Sequence, residues 1–402
     1  MGNTAWQVAV VGAGPVGLAL ALHAARLLPH AQITVFDARP AERNDRNDRD
    51  VAADPRTLAL SLGSVQFLQQ LQAWAPAMAE PILQVHISQA PPSLSTPWGE
   101  PEVRLSAHEL GVPQLGAVLS YGALVAPLQR AWEQAVADEP ARLRFRLATP
   151  VAAIKALPEG VELDAGIAER FDLAVVAEGG VFAEQAQKAL VSDYGQTAWV
   201  GTVTLDGATP GLAFERFTRQ GPAALLPLPR LADGKDRAAL VWCVPRDDDP
   251  VAGLNDSQRL AVLRTIFPAA AGQLLSITPL KSFALGLNAE RTLVSGRTVR
   301  IGNAAQTLHP VAGQGLNLGL RDAHELVSAL RWADDIDAAL KRADWARAAD
   351  RWTMIAATDF LARSFTWKLP GAATARGIAL AALQALPPLK GWLARRMMFG
   401  RR

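Results

Sequence analysis

The sequence predicts an α/β chain. A parallel-sheet domain is split along the sequence, a mostly antiparallel sheet is inserted into it, and a helical region ends the chain. Three observations carry this. The first forty residues read as strand, tight turn, helix and strand. From Thr197 to Pro245 the texture becomes short strand-like runs between turn residues. Everything after Ala339 is Ala-rich and helical in composition. With 402 residues, half of them apolar and a formal net charge of only +2, the chain holds two or three domains. That balance excludes a disordered chain and a nucleic-acid binder working through bulk charge. The lone cysteine, Cys243, excludes a disulfide framework and a cysteine-ligated zinc site. The six histidines make no HxH or HxxxH pair, so no metal site is expected. An intracellular, cytoplasmic protein is expected.

Trp6 to Val11 (WQVAVV) is a short apolar run of the kind buried on both faces of a parallel sheet. Val16 to Leu28 has helical composition, and Ile33 to Phe36 is a second strand. Gly2 to Ala25 carries no charge, but it lacks a basic start and glycines interrupt it. It is read neither as a signal peptide nor as a membrane anchor. Between the first strand and helix stands Gly12-Ala13-Gly14-Pro15-Val16-Gly17, in the position a dinucleotide fingerprint requires. The first glycine suits a tight turn, the second lets backbone approach a pyrophosphate, and the third lets helix and strand pack closely. Asp37 ends the second strand 20 residues after Gly17, where an acid can bind ribose hydroxyls. This is a Rossmann-type unit, and it leaves FAD and NAD equally open. Arg39 to Asp50 follows as a charge run whose signs cancel, read as a solvated loop.

Further on, Phe171 to Gly180 (FDLAVVAEGG) reads as a strand ending in an acid and two glycines. Thr298 to Ile301 is another buried strand, leading through a glycine-rich turn into a helix from about Gly315 to Trp332. The nucleotide-binding part is therefore discontinuous, drawn at residues 1–70, 105–180 and 290–340. The substrate domain takes 71–104 and 181–289, and the helical region 341–402.

Three segments together carry a family resemblance: Asp54-Pro55-Arg56-Thr57-Leu58-Ala59-Leu60-Ser61, the Phe171–Gly180 run, and Arg300 to Asp322 (RIGNAAQTLHPVAGQGLNLGLRD). In order and spacing the chain resembles the flavin-dependent aromatic hydroxylases of the ubiquinone-biosynthesis branch, most closely the 2-polyprenyl-6-methoxyphenol subgroup. Phe214 to Leu228 (FERFTRQGPAALLPL) and Leu240 to Cys243 resemble that subgroup too. The resemblance implies the aromatic hydroxylase fold and FAD as cofactor. Gly12, Gly14 and Gly17 would cradle its pyrophosphate, Asp37 would hold the adenosine ribose, and Arg56 would reach the flavin phosphate side. Glu178-Gly179 stands where the family has Asp-Gly, a motif linked to FAD and the nicotinamide cofactor. Asn303 takes the place of an aspartate at the flavin's ribityl or pyrophosphate end, and Gln306 that of a histidine. Pro310, Gly313, Gly315, Leu316 and Asn317 would form the turn and helix start beside the isoalloxazine. Independently of the family, that glycine-rich turn leaves backbone uncovered for a flat ring. Its helix dipole favours the negative charge of reduced flavin.

The reaction implied is ring hydroxylation of a membrane-resident polyprenyl phenol. NAD(P)H reduces FAD, O₂ adds at flavin C4a, and the distal hydroxyl passes to the ring. Two rivals stand beside it: a hydroxylase of another ring position or of a soluble aromatic acid, and a non-catalytic FAD-binding subunit of a ubiquinone-biosynthesis complex. His309 either hydrogen-bonds substrate or flavin, or caps the turn. A polyprenyl tail calls for an apolar channel, with Ala223, Leu225, Pro227 and Trp242 as wall residues, although alternation does not fix which face they occupy. No GxSxG elbow supports hydrolysis, and basic residues are not interleaved with aromatics as in a nucleic-acid groove. Phe360 to Arg402 holds Arg363, Lys368, Arg376, Lys390, Arg395, Arg396, Arg401 and Arg402 and no acid, leaving the rest of the chain net acidic. With Trp392, Leu393, Met397, Met398 and Phe399 nearby, this tail is expected to rest on an anionic membrane surface. A terminal helix packed on the acidic body, or bound to a partner subunit, is the alternative.

Overall fold

The computed structural model describes residues 5–40, 56–91, 100–178, 190–310, 313–364 and 371–400. Most of the charge run, Asp54, Pro55, Gly179, Lys368, Arg401 and Arg402 lie outside the described residues.

Gln7–Val11 sits inside a six-stranded sheet. It pairs in parallel with Gln32–Phe36 on one side and with Leu173–Val176 on the other. Leu143–Arg146 and Thr298–Arg300 extend the sheet in parallel, and Val294–Ser295 closes one edge antiparallel. The apolar run is explained by what covers it. Val8 and Val10 face a core that holds residues of the helices Pro15–Leu27, Tyr121–Asp138 and Gln314–Arg331. Ala9 and Val11 face a separate core with Val161, Leu163 and Phe171 of a small antiparallel sheet. Both faces are dry from Val8 to Val11, so these four positions are apolar.

The inserted sheet is larger. In order it runs Gln306–Thr307, Lys281–Ala289, Leu190–Asp206, Asp236–Pro245, Pro222–Leu228, Leu212–Thr218, Gln84–Ala90 and Glu102–Ser106, with Gln273–Ile277 pairing beside Leu190–Asp206. Apart from the parallel Leu212–Thr218/Gln84–Ala90 pair, its pairings are antiparallel. One face packs on the helix Asp256–Ile266, whose first turn is closed by a reciprocal Asn255–Gln258 capping box. A fourth sheet, Thr57–Ser61, Gly116–Ser120 and Ala79–Ile82, bridges the six-stranded and the inserted sheets.

Two short strands cross the divisions read from sequence. Ala79–Ile82 pairs with Gly116–Ser120, and Gln306–Thr307 extends the inserted sheet. The helices Ile336–Ser364, Ala372–Ala385 and Pro387–Phe399 complete the chain. The α/β class and the inserted antiparallel sheet are thus present as predicted. Among the described residues no helix is long and apolar enough to cross a membrane.

Candidate active site

The three fingerprint glycines do different work. Gly12 has φ +102°, a left-handed conformation that a side chain would strain, and its N–H donates to Phe36 O at 2.8 Å. At Gly17 an added Cβ would lie 2.0 Å from Gly12 O, so the helix touches the strand through bare backbone. Gly14 is different: its φ is an ordinary −75°, and an added Cβ would meet only the Tyr121 hydroxyl, at 3.9 Å. Space is therefore left open beside Gly14. The first-turn amides of Pro15–Leu27 have no intrahelical acceptor, so a pyrophosphate fits there with the dipole behind it.

Asp37 is buried at the strand end. Its Oδ2 accepts the Ala13 N–H at 2.7 Å, and its Oδ1 accepts Arg39 N at 2.8 Å and Arg39 Nε at 2.9 Å. Burial alone would raise its pKa, but these bonds and the Arg39 charge hold it below the usual carboxylate range. The carboxylate thus already carries a full set of donors. A ribose reaching Asp37 would replace the Arg39 side chain, which is 49% exposed and also donates to Ala13 O at 2.9 Å. Glu178 stands beside Gly12, and its carboxyl is pushed up first by burial and then by the Asp37 charge. Arg56 lies over the Tyr121 ring, 4.0 Å from its centroid, and Tyr121 reaches toward Gly14. The pair brings a cation to the phosphate side of the cradle. Tyr121 is a site residue that no sequence motif marks. Asn303 is exposed in the short turn Gly302–Ala304 after Thr298–Arg300, its amide open to a ligand. The set of donors fits FAD.

The glycine-rich turn opens on a cavity of about 400 Å³. Pro310, Gly313, Gly315, Leu316 and Asn317 all line it. Gly313 caps the helix Gln314–Arg331 in the left-handed conformation, φ +59°. The Asn317 side chain, however, is fully used within the protein. Its Oδ1 accepts Ser61 N at 2.8 Å and Ser64 Oγ at 2.7 Å, and its Nδ2 donates to Gly313 O at 2.8 Å and Ala59 O at 3.1 Å. That amide locks the turn to Thr57–Ser61 and positions the site, with nothing left for a cofactor. Gln306 is likewise drawn away from the cavity. Its Nε2 donates to Asp322 Oδ2 at 3.0 Å and its Oε1 accepts Arg351 Nε at 2.6 Å. The ion pairs Arg347–Asp322 and Arg347–Asp350 continue this buried network.

His309 lines the cavity but is itself buried, with Nε2 3.0 Å from Gln196 Oε1. Because the Gln196 oxygen can only accept, Nε2 carries the proton. Burial pushes the ring's pKa down to about 4, so the imidazole is neutral.

The wall residues expected from sequence are displaced by one register. Ala223, Leu225 and Trp242 pack into the core behind the sheet, and Pro227 shares their face by alternation. The cavity wall is made by Pro222, Ala224, Leu226, Val241 and Cys243. Ile82, Val85, Ile87 and Leu105 extend it, and Ala394, Met397 and Met398 of the terminal helix close it. That helix is held by Arg321 to Met397 O at 2.5 Å and by Lys390 to Glu109 at 3.0 Å.

The chain is similar to several known proteins. A family model described as an FAD binding domain matches residues 217–368. The Escherichia coli protein named 3-demethoxyubiquinol 3-hydroxylase is 29% identical, with 97% of each chain covered. The Rhodospirillum rubrum protein named ubiquinone hydroxylase UbiL is 36% identical over 212 residues, which is 51% of this chain and 48% of the relative. The chain thus aligns with about half the length of that relative. Among solved structures, Klebsiella pneumoniae HpxO complexed with FAD and uric acid superposes with a TM-score of 0.71 at 17% identity, covering 98% of this chain and 97% of the other. Pseudomonas putida p-nitrophenol 4-monooxygenase PnpA gives 0.71 at 15% identity, with both chains fully covered. These likenesses show the fold.

Proposed function

We propose, for a chain that belongs to the FAD-dependent aromatic hydroxylases of the ubiquinone-biosynthesis branch, that it hydroxylates the ring of a polyprenylated phenol of the 2-polyprenyl-6-methoxyphenol type. The observation that carries the substrate class is the cavity. It is walled largely by aliphatic side chains, and among the described residues no lysine or arginine lines it. A soluble aromatic acid would need a cation to bind its carboxylate, and none is offered among the described residues. A ring with an apolar tail needs only exclusion of water. At about 400 Å³ the cavity is near the small end of ligand pockets, roughly 300–1,000 Å³. It therefore takes the ring and the first units of the tail.

Bound FAD, reduced by NAD(P)H, supplies the activation of O₂. The chain's own residues do the rest. The Gly12–Gly17 turn and the first-turn amides hold the pyrophosphate, with Arg56 and Asn303 as flanking donors. The Pro310–Asn317 turn, locked by Asn317, presents backbone to the ring system. Met397 and Met398 keep water out.

The same reading places the protein in the cytoplasm and peripherally on the membrane. Leu386, Leu389, Leu393 and Trp392 stand exposed on one side of the terminal helix, and Arg395 and Arg396 lie beside them. The opposite side carries Ala394 and Met398 to the cavity. A lipid-facing helix that also walls the pocket would shorten the path of a membrane-resident substrate.

The test is product analysis. Purified holoprotein with NAD(P)H, O₂ and a short-chain 2-prenyl-6-methoxyphenol should yield a product heavier by one oxygen atom. Oxygen insertion into soluble aromatic acids alone would overturn the substrate class. FAD binding with no hydroxylation of either group would favour the accessory-subunit reading.

A further inference from the structure

Among the described residues the cavity holds a single charged side chain, Glu215. Its strand, Leu212–Thr218, lies between Gln84–Ala90 and Pro222–Leu228, and the register sets Ile87 and Ala224 directly beside it, with Val241 one strand further on. All three of those neighbours are apolar and line the cavity. The next residue, Arg216, turns to the other face of the sheet, where Nε donates to Ile266 O at 2.9 Å and Nη1 to Ser88 Oγ at 2.5 Å. No hydrogen bond or ion pair engages the Glu215 carboxyl among the described residues. The other titratable groups on the cavity are His309, which is neutral, and Cys243, whose thiol is pushed well up by burial and by Glu215 itself.

An acid kept without a counter-ion in an apolar chamber is costly, and the natural account is a ligand that supplies its partner. We propose that Glu215 binds the ring hydroxyl of the phenolic substrate and acts as the general base for hydroxylation. This rests on the reading of the cavity as a phenol site.

In the step, the substrate's O–H bond breaks and an Oε–H bond forms while the ring carbon attacks the electrophilic oxygen that FAD and O₂ supply. The electron pair released onto the phenolic oxygen raises the nucleophilicity of the ortho and para carbons. As the new C–O bond forms, the O–O bond to that oxygen would break; the departing oxygen would keep the electron pair, take up the proton that the hydroxylated carbon loses as aromaticity is restored, and end as water, while Glu215 returns its own proton to the phenolic oxygen. Burial pushes this carboxyl up to about 7, near the working pH of a neutral cytoplasm, as a general base requires. His309, already neutral with a pKa of about 4, is the weaker base.

The test compares wild type, Glu215→Gln and Glu215→Asp as holoproteins, measuring kcat/KM from pH 5 to 9 on a short-chain prenylphenol. Binding spectra of the chromophoric phenol 4-nitrophenol give a second readout. Wild type should show an acid limb near pH 7. Glu215→Gln should lose that limb and 10²–10⁴ in kcat, while FAD content and the rate of flavin reduction by NAD(P)H stay unchanged. Glu215→Asp should keep a limb at lower rate, and the ionisation of bound 4-nitrophenol should shift between wild type and the glutamine variant. A glutamine variant with wild-type kcat and an unaltered pH profile overturns the proposal. If that variant loses FAD, the aspartate variant decides: a profile with no acid limb overturns it. Wild type that hydroxylates no prenylphenol sinks the substrate reading instead, whichever way the 4-nitrophenol spectra fall.

Discussion

Gly14 and Gly17 sit three residues apart in one motif, yet the structure separates their roles enough to measure. At Gly17 an added Cβ would be 2.0 Å from Gly12 O, whereas real Cβ atoms essentially never come within 3.0 Å of such an atom. The helix Pro15–Leu27 would have to move off its strand by about 1 Å, an overpacking cost of about 1–3 kcal/mol. At Gly14 the backbone is ordinary and the nearest atom is 3.9 Å away, so Gly14→Ala meets no clash in the protein. Its only folded-state cost is a poorer N-cap residue, about 1 kcal/mol or less. Towards FAD the order reverses. A methyl group at Gly14 fills the space of the pyrophosphate and removes about two amide bonds to charged oxygen, each worth about 1.5–3 kcal/mol. That is a loss of roughly 10²–10⁴ in affinity. The assay is thermal denaturation of the FAD-free proteins beside fluorescence titration with FAD. Gly14→Ala should melt within about 2–4 °C of wild type and bind FAD at least 100-fold more weakly. Gly17→Ala should lose stability before any question of affinity arises. If Gly14→Ala proves the less stable of the two, or retains wild-type affinity, the open space beside Gly14 is not the phosphate site.

Other outcomes follow from the same geometry. Asn303, exposed in its turn, should tolerate Asn303→Leu without loss of stability in the FAD-free protein but with FAD bound more weakly by about 0.5–1.5 kcal/mol, and Asn303→Asp should be the milder change; equal titration curves for all three would remove it from the site. The raised pKa of Glu215 means that the native state holds a proton the unfolded chain has released between about pH 4.5 and 7, so this group's contribution falls as pH rises through that window. Glu215→Gln should therefore gain about 2.5 kcal/mol on wild type between pH 5 and pH 8 in denaturant titrations of the apoprotein, and a constant difference would show a solvated carboxylate. Leu389→Ser with Trp392→Ser should reduce sedimentation with anionic liposomes while FAD content holds, because both side chains face away from the cavity; unchanged binding would take this helix out of the membrane model.

The first forty residues were legible because their constraints are local. A strand dry on both faces must be apolar from Val8 to Val11, Gly12 is required by its own left-handed backbone, and Gly17 meets an atom five residues away. The terminal helix was only half legible. Its basic residues suggested a lipid-facing surface, but Lys390 is buried on Glu109 and Arg395 binds Leu110 O, so part of that charge is spent inside the protein. Removing the tail outright would also take away Ala394, Met397 and Met398, which no composition could show to be cavity wall. Asn317 and Gln306 were misleading for a related reason. Both belong to a motif associated with the cofactor, yet their partners, Ser61 and Arg351, lie 256 and 45 residues away. Residue type told that these amides matter; only tertiary contact told what they hold.

The substrate wall failed at one binary choice. Strands of the inserted sheet alternate faces, so placing one residue fixes all the others, and a wrong phase misplaces every one. Pro222, Ala224 and Leu226 are no more polar than Ala223 and Leu225, because one set meets the core and the other an apolar cavity. The neighbouring run Phe214-Glu215-Arg216 offers the only strong contrast, but it offers two. An acid and a base stand side by side and must point to opposite faces. Either could have belonged to a ligand site: Arg216 as the clamp for a soluble carboxylate, Glu215 as the partner of a neutral phenol. The structure divides them by their surroundings. Arg216 finds acceptors in Ser88, Glu100 and the end of the helix Asp256–Ile266, while Glu215 finds Ile87 and Ala224. Of these two side chains, the charge without a partner among the described residues is the negative one, and a hydroxyl donor is the ligand chemistry that answers it.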